Sequence, residues 1–138
     1  MDIKIVNDYP PNIDQIRTFL NAPEENIFCY GNHIYVPSGK EIPPDIIEHE
    51  RIHAHRQTEG LQTPQTWWNR YLTDKEFRKE EELIAYAHQY NFIKETYPHK
   101  AHQEALFELA KNLRDLYNLV ISLPEAESKI RNKAKELS

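Results

Sequence analysis

The run His49-Glu50-Arg51-Ile52-His53 constrains this chain more than any other five residues in it. Two imidazoles four positions apart stand a turn apart on one face of a helix, where both can reach the same metal ion. Ile42, Ile46, His49 and His53 follow one another in steps of four, three and four, so the histidines fall on the stripe that apolar residues mark as inward. Imidazoles turned inward need polar partners, and a shared metal is an economical one. Glu50 lies beside that face, out of line for ligation but placed to take a proton from a zinc-activated water. Pro43-Pro44 suits a first helical turn, where a missing N–H costs nothing, and Gly60 suits a stop, so the helix is expected over about Pro44 to Gln57.

Context has to carry this motif, because a chain with 7 His among 138 residues can match it by accident. Helical geometry sends Glu48 and Arg51 off the His49/His53 line toward solvent, and His55, two residues past His53, points away from the same face. The single cysteine, Cys29, excludes an internal disulfide and sits in an apolar, strand-like run, where it reads as buried packing.

A length of 138 residues suits one domain over residues 1–138, with residues 1–40 mainly β with one helix, 43–95 the metal-site helices and 98–138 the C-terminal helices. The fold class expected is α+β. Ile3 and Ile5 alternate with polar residues as a half-buried strand does, and Asn12 to Asn21 reads as a helix with Ile13, Ile16, Phe19 and Leu20 on one side. Gly31-Asn32 between Ile27–Tyr30 and His33–Val36 is a two-residue hairpin signal. After the metal-motif helix comes a short aromatic segment, Thr66 to Leu72, whose Trp67 and Trp68 suit a hydrophobic lid over the site helices. Thr73-Asp74-Lys75-Glu76 has the form of a capping box, which starts a helix running to about Lys94. Ala101 to Val120 carries Leu106, Leu109, Ala110, Leu113, Leu116, Tyr117 and Val120 at helical spacing. Ser122-Leu123-Pro124-Glu125 caps a last helix that has only Ile130, Ala134 and Leu137 to bury, so weak docking is expected there.

Seventeen Lys and Arg against 22 Asp and Glu give a net charge of -5, with no basic run dense enough to follow a phosphate backbone. Nucleic acid is therefore not an expected partner. The first residues are charged, unlike a secretory signal, and no stretch is long and apolar enough to span a bilayer, so no membrane association and a cytoplasmic location are expected.

A catalytic zinc needs three protein ligands and one open position. The third ligand is sought in Glu80-Glu81-Glu82, on the helix that follows. Periodicity favours Glu81, which lines up with Phe77, Ile84, Ala85 and His88. For a donor to the developing oxyanion, Tyr71, Tyr86 and His88 are the candidates. His99 and His102, three apart near Pro98, are a weaker second metal pair, and exposed polar residues are the ordinary reading of them.

With the His49–His53 motif and Glu82-Leu83-Ile84-Ala85 downstream, the chain resembles the gluzincins, metallopeptidases in which a glutamate on the next helix completes a His-Glu-x-x-His site. More narrowly it looks like small phage- or prophage-type metallopeptidases, from Ile34-Tyr35-Val36-Pro37-Ser38-Gly39 through Trp67-Trp68-x-Arg70-Tyr71-Leu72 to Phe77-Arg78 and Glu82-x-x-Ala85-Tyr86. The resemblance covers roughly residues 30 to 90, and Tyr86 stands where Asp or Asn is usual. It implies a minimal zincin-like domain, Zn²⁺ held by His49, His53 and Glu82, Glu50 as general base, and a peptide or protein substrate. It also implies that an edge strand, His33 to Val36, holds that substrate by main-chain pairing. Between Glu81 and Glu82 the residues alone leave the choice open. Two other functions stay in view: a non-catalytic zincin-like binding or virion-associated module, which Arg51 and Tyr86 favour, and a helical interaction protein whose partner surface is the Leu106–Val120 stripe.

Overall fold

The computed structural model describes residues 1–138 and is α+β, mostly helical, with a three-stranded sheet and six α-helices. Strand β1 (Lys4–Val6) leads through α1 (Ile13–Phe19) to a hairpin of β2 (Phe28–Tyr30) and β3 (His33–Tyr35). The hairpin turns at Gly31-Asn32 as its sequence requires: Gly31 has φ +62°, a left-handed conformation that glycine adopts without steric cost, and Tyr30 pairs with His33. Strand β1 then pairs in parallel with β3, giving the order β1-β3-β2. The His33–Val36 strand is therefore central, not an edge. Both of its sides are taken by neighbouring strands, which removes it as a template for an added peptide. The alternation at Ile3 and Ile5 also misleads, since Ile5 is 49% exposed on the outermost strand.

The motif helix α2 (Pro44–Gln57) has the expected bounds, with Pro44 in its first turn. The aromatic segment expected over Thr66 to Leu72 lies inside a helix, α3 (Pro64–Thr73), because Thr63 and Thr66 cap its start reciprocally and Pro64 takes the first helical position. Helix α4 (Lys75–Thr96) follows at once, capped by Asp74 and not Thr73: the Asp74 carboxylate accepts from the Glu76 and Phe77 N–H groups. A 3₁₀ turn over His99–Ala101 leads into α5 (His102–Asp115), which stops short of Val120. Asn118 takes a left-handed φ of 54°, and Val120 is 96% exposed in the connection to α6 (Leu123–Leu137).

Two hydrophobic clusters hold these elements. Leu83, Ala87, Tyr90 and Ile93 of α4 pack against Leu106, Leu109, Ala110 and Leu113 of α5 and against Ala126, Ile130 and Ala134 of α6. Helix α6 thus docks firmly, against expectation, since Ala126, Ile130 and Ala134 are fully buried. Small alanines let the helix axes approach closely, and packing density there makes up for the few large side chains. The second cluster is aromatic: Ile16, Phe28, Trp67, Trp68, Tyr71 and Leu72 join the sheet to α1 and α3. Helices α2 and α4 lie side by side between the clusters and present the motif residues to each other. No helix is long and apolar enough to cross a membrane.

Candidate metal centre

His49 and His53 project from one face of α2 and meet Glu82 on the facing side of α4. All three are buried, and their ligand atoms lie within 4.8 Å of one another. His49 Nε2 is 3.0 Å from Glu82 Oε1, and His53 Nε2 is 3.2 Å from Glu82 Oε2. Two imidazole nitrogens and a carboxylate oxygen converging in a buried pocket can hold a metal ion.

The rival glutamate is placed elsewhere. Glu81 is just as buried, but its carboxylate accepts from Arg56 Nε at 2.8 Å on both oxygens and from Trp67 Nε1 at 2.7 Å. The apolar stripe did mark Glu81 as inward, and it is; one residue, or about 100° around the helix, separates its ion pair from the histidine face.

Electrostatics divide the two site carboxylates. Burial acts to raise the Glu82 carboxyl, yet the charges of His53 and His49 and the hydrogen bonds they make to it hold it well below the usual carboxylate range. Glu50, buried next to the cluster, goes the other way. Burial pushes its carboxyl up to about 8, with His49 partly offsetting this and the neighbouring Glu82 adding to it. Glu50 stands outside the ligand cluster and borders both of the cavities that reach it.

The inner cavity, of about 70 Å³, touches His49, Glu50, His53 and Glu82, with apolar walls from Ile16, Leu20, Phe28, Trp68 and Leu116. An outer hollow of about 290 Å³, bordered by Ile46, Tyr86, Asn112 and Tyr117, meets the same His49 and Glu50 from the other side. Cys29 also borders the inner cavity; burial first and Glu50 second push its thiol well above its ordinary range, so it serves as packing.

The three donor candidates separate. The Tyr71 hydroxyl donates to Glu82 Oε2 at 2.5 Å, which makes it a support for that carboxylate. Tyr86 packs edge-on against the His49 ring, with centroids 4.4 Å apart, and its hydroxyl meets that of Tyr117 at 2.5 Å. His88 lies outside the cluster, in a surface hollow with Glu48, Asn91 and Glu95. Trp67 and Trp68 are a built-in wall and not a lid: both are buried, and the Trp67 ring packs on His53 and stacks on Tyr71. Glu48 and Arg51 leave the site as expected and pair with each other, while His55 is exposed. His99 and His102 have ring centroids 5.3 Å apart but gather no third ligand.

Several supporting residues escape a sequence reading. Gln89 accepts from His49 Nδ1 at 2.9 Å and donates to Asp45 Oδ2 at 2.8 Å. The signal that finds it is spacing: Gln89 lies seven residues after Glu82, two turns along the same face of α4. Arg78, buried without a carboxylate partner, donates to the carbonyls of Tyr71 and Tyr117 at 2.8 and 2.9 Å and so ties the α5–α6 connection to the site. Gln57, fully buried, donates to the Cys29 carbonyl at 2.8 Å and accepts from the Gly31 N–H at 2.7 Å, and Trp68 Nε1 also donates to that carbonyl at 2.9 Å. His53 Nδ1 is buried with no partner.

Comparison with protein-family models, with curated protein sequences and with solved structures finds no match to this chain.

Proposed function

We propose that this chain is a zinc-dependent metallopeptidase of gluzincin type, with His49, His53 and Glu82 as the ligands and Glu50 as the general base. The observation that carries this reading is the convergence of the three buried ligand atoms beside a second carboxyl group, Glu50, that lies outside the ligand cluster and borders two cavities. Nitrogen and carboxylate donors in this ratio suit zinc, and three protein ligands leave a position open. A zinc ion held there supplies a Lewis acid, which makes a water more acidic and polarises a substrate carbonyl.

The chain's own residues supply the rest. Glu50 accepts the proton of the attacking water on a carboxylate oxygen and passes it to the departing amide nitrogen. Burial raises its carboxyl, and the charge of a bound metal would act in the opposite direction, toward the ionised form that a general base needs. Tyr71 and the two histidines hold Glu82 in its ionised form. Apolar walls around the inner cavity exclude water and bring a peptide's side chain against the site.

Glu50→Gln tests the assignment: zinc should remain bound at wild-type stoichiometry while peptide cleavage falls by about 10²–10⁴-fold. Metal analysis of the purified protein comes first. Absence of stoichiometric zinc, or zinc retained after His49→Ala, would end the ligand assignment. A second reading, a zinc-holding binding module without catalysis, is favoured by how closed the site is, with His49, Glu50, His53 and Glu82 all buried. Zinc bound at full stoichiometry with no cleavage across a broad peptide library would select that module.

A further inference from the structure

Gln89 does more than fill space between α2 and α4, because its two ends are chemically different and each is assigned by its neighbour. The Asp45 carboxylate can only accept, so the amide nitrogen of Gln89 is the end that faces it, at 2.8 Å. The amide is planar, and its oxygen is therefore turned to His49. That oxygen can also only accept, so His49 Nδ1, 2.9 Å away, must carry a hydrogen. The nitrogen left for ligation is Nε2, which faces Glu82 and the His53 side of the cluster. Were the amide reversed, its NH₂ would face Nδ1, the ring proton would move to Nε2, and the ligating lone pair would be lost.

We propose that Gln89, oriented by Asp45, is a positioning residue that fixes the His49 tautomer and thereby sets the affinity of the centre for its metal. The inference rests on the reading of His49, His53 and Glu82 as a metal centre. The relay starts in the first turn of α2, crosses to α4 and returns to α2 one turn further along, so it also fixes the spacing of the two helices that carry the ligands. Its effect falls on one histidine alone. His53 Nδ1 has no partner, so nothing comparable holds the second ring, and His49 is the pre-arranged ligand of the pair. Tyr86, which stands where a carboxylate or amide side chain is usual in the gluzincins, contacts the His49 ring by its edge only. The polar partner comes instead from three residues further along α4.

The test is zinc affinity at fixed pH, by competition with a chromogenic chelator, on the wild-type chain, on Gln89→Leu and on the exchange Asp45→Asn with Gln89→Glu. Far-UV circular dichroism and the thermal midpoint of each metal-free protein serve as the folding control. Gln89→Leu should bind zinc about 10–100-fold more weakly at unchanged helicity. The exchange should restore binding, because a carboxylate at position 89 accepts from His49 Nδ1 and from a side-chain amide at position 45 alike, whereas a merely structural role would not be rescued by reversing the polarity. Zinc affinity of Gln89→Leu within about threefold of wild type, short of the order-of-magnitude loss that such supporting residues cause, overturns the relay. So does an exchange variant that folds and binds as weakly as Gln89→Leu. Should Gln89→Leu fail to fold, the exchange variant decides. Should the wild type bind no zinc, the metal-centre reading falls by itself, and ¹⁵N NMR of the His49 ring still tests the relay: a hydrogen on Nδ1 supports it, and a bare Nδ1 refutes it.

Discussion

Toward α5 and α6, helix α4 presents Leu83, Ala87, Tyr90 and Ile93 to a cluster of aliphatic side chains, and packing dominates this side, with polar contacts such as Asn91 to the Ala134 carbonyl and Glu80 to Lys133 at its border. Toward α2 and α3 the same helix presents Arg78, Glu81, Glu82 and Gln89, all buried and all bonded to partners on other elements. Apolar burial is non-directional and forgiving, roughly proportional to area, so the first side needs only shape and volume. Buried polar groups are directional and costly when unpaired, so each residue on the second side is fixed by two or three named partners. Apolar packing and the candidate metal site thus lie on opposite faces of one helix.

Mutations can break or sharpen that division. The largest effect on stability belongs to the aliphatic side: Leu106→Ala or Leu113→Ala should cost about 2–5 kcal/mol in urea unfolding while leaving zinc stoichiometry unchanged. Loss of metal binding in a variant that is still folded would show the two sides to be coupled. On the proposed reading zinc acts on the polar side, and at a hundred times its Kd it should stabilise the protein by about 2.7 kcal/mol, seen as a rise in the thermal midpoint that a chelator reverses. Tyr71→Phe, which deletes the hydroxyl that donates to Glu82, should cost about 1.5–3 kcal/mol in the metal-free protein. Smallest is Val120→Ser, within about 0.5 kcal/mol of wild type, because the residue lies past the end of α5 in solvent. A larger cost there would mean that the connection packs against something the monomer does not contain.

The same division governs what the sequence reveals. The bounds of α2 and the hairpin at Gly31-Asn32 were legible because proline, glycine and helical periodicity act over a few residues. His49 and His53 were legible for the same reason, since four residues of spacing fix their common face. Strand order was not, because the parallel pairing of β1 with β3 joins residues far apart in the chain and leaves no local mark. Helix α6 was underrated because buried Ala126 and Ala134 contribute closeness and not bulk. Which of Glu81 and Glu82 meets the histidines depends on Arg56 and Trp67, which take one carboxylate and leave the other beside them. For Gln89, spacing from Glu82 marks the face it shares, but its pairing with His49 and Asp45 of α2 is visible only once α2 and α4 are side by side.

Gln57 bears on how molecules of this protein meet one another. A small sheet with bare margins invites a strand from a neighbouring copy, the first step toward swapped dimers and fibrils. By placing its side-chain amide across the main chain of Cys29 and Gly31, Gln57 occupies the β2 margin as an incoming strand would. Only the β1 margin is left open, three residues long and carrying the exposed charge of Lys4, which is the kind of short, charged border that discourages stacking. Gln57→Leu should therefore leave the Gly31 N–H without this partner and loosen the seal that α2 makes on that margin, read as a lower thermal midpoint and earlier turbidity on heating.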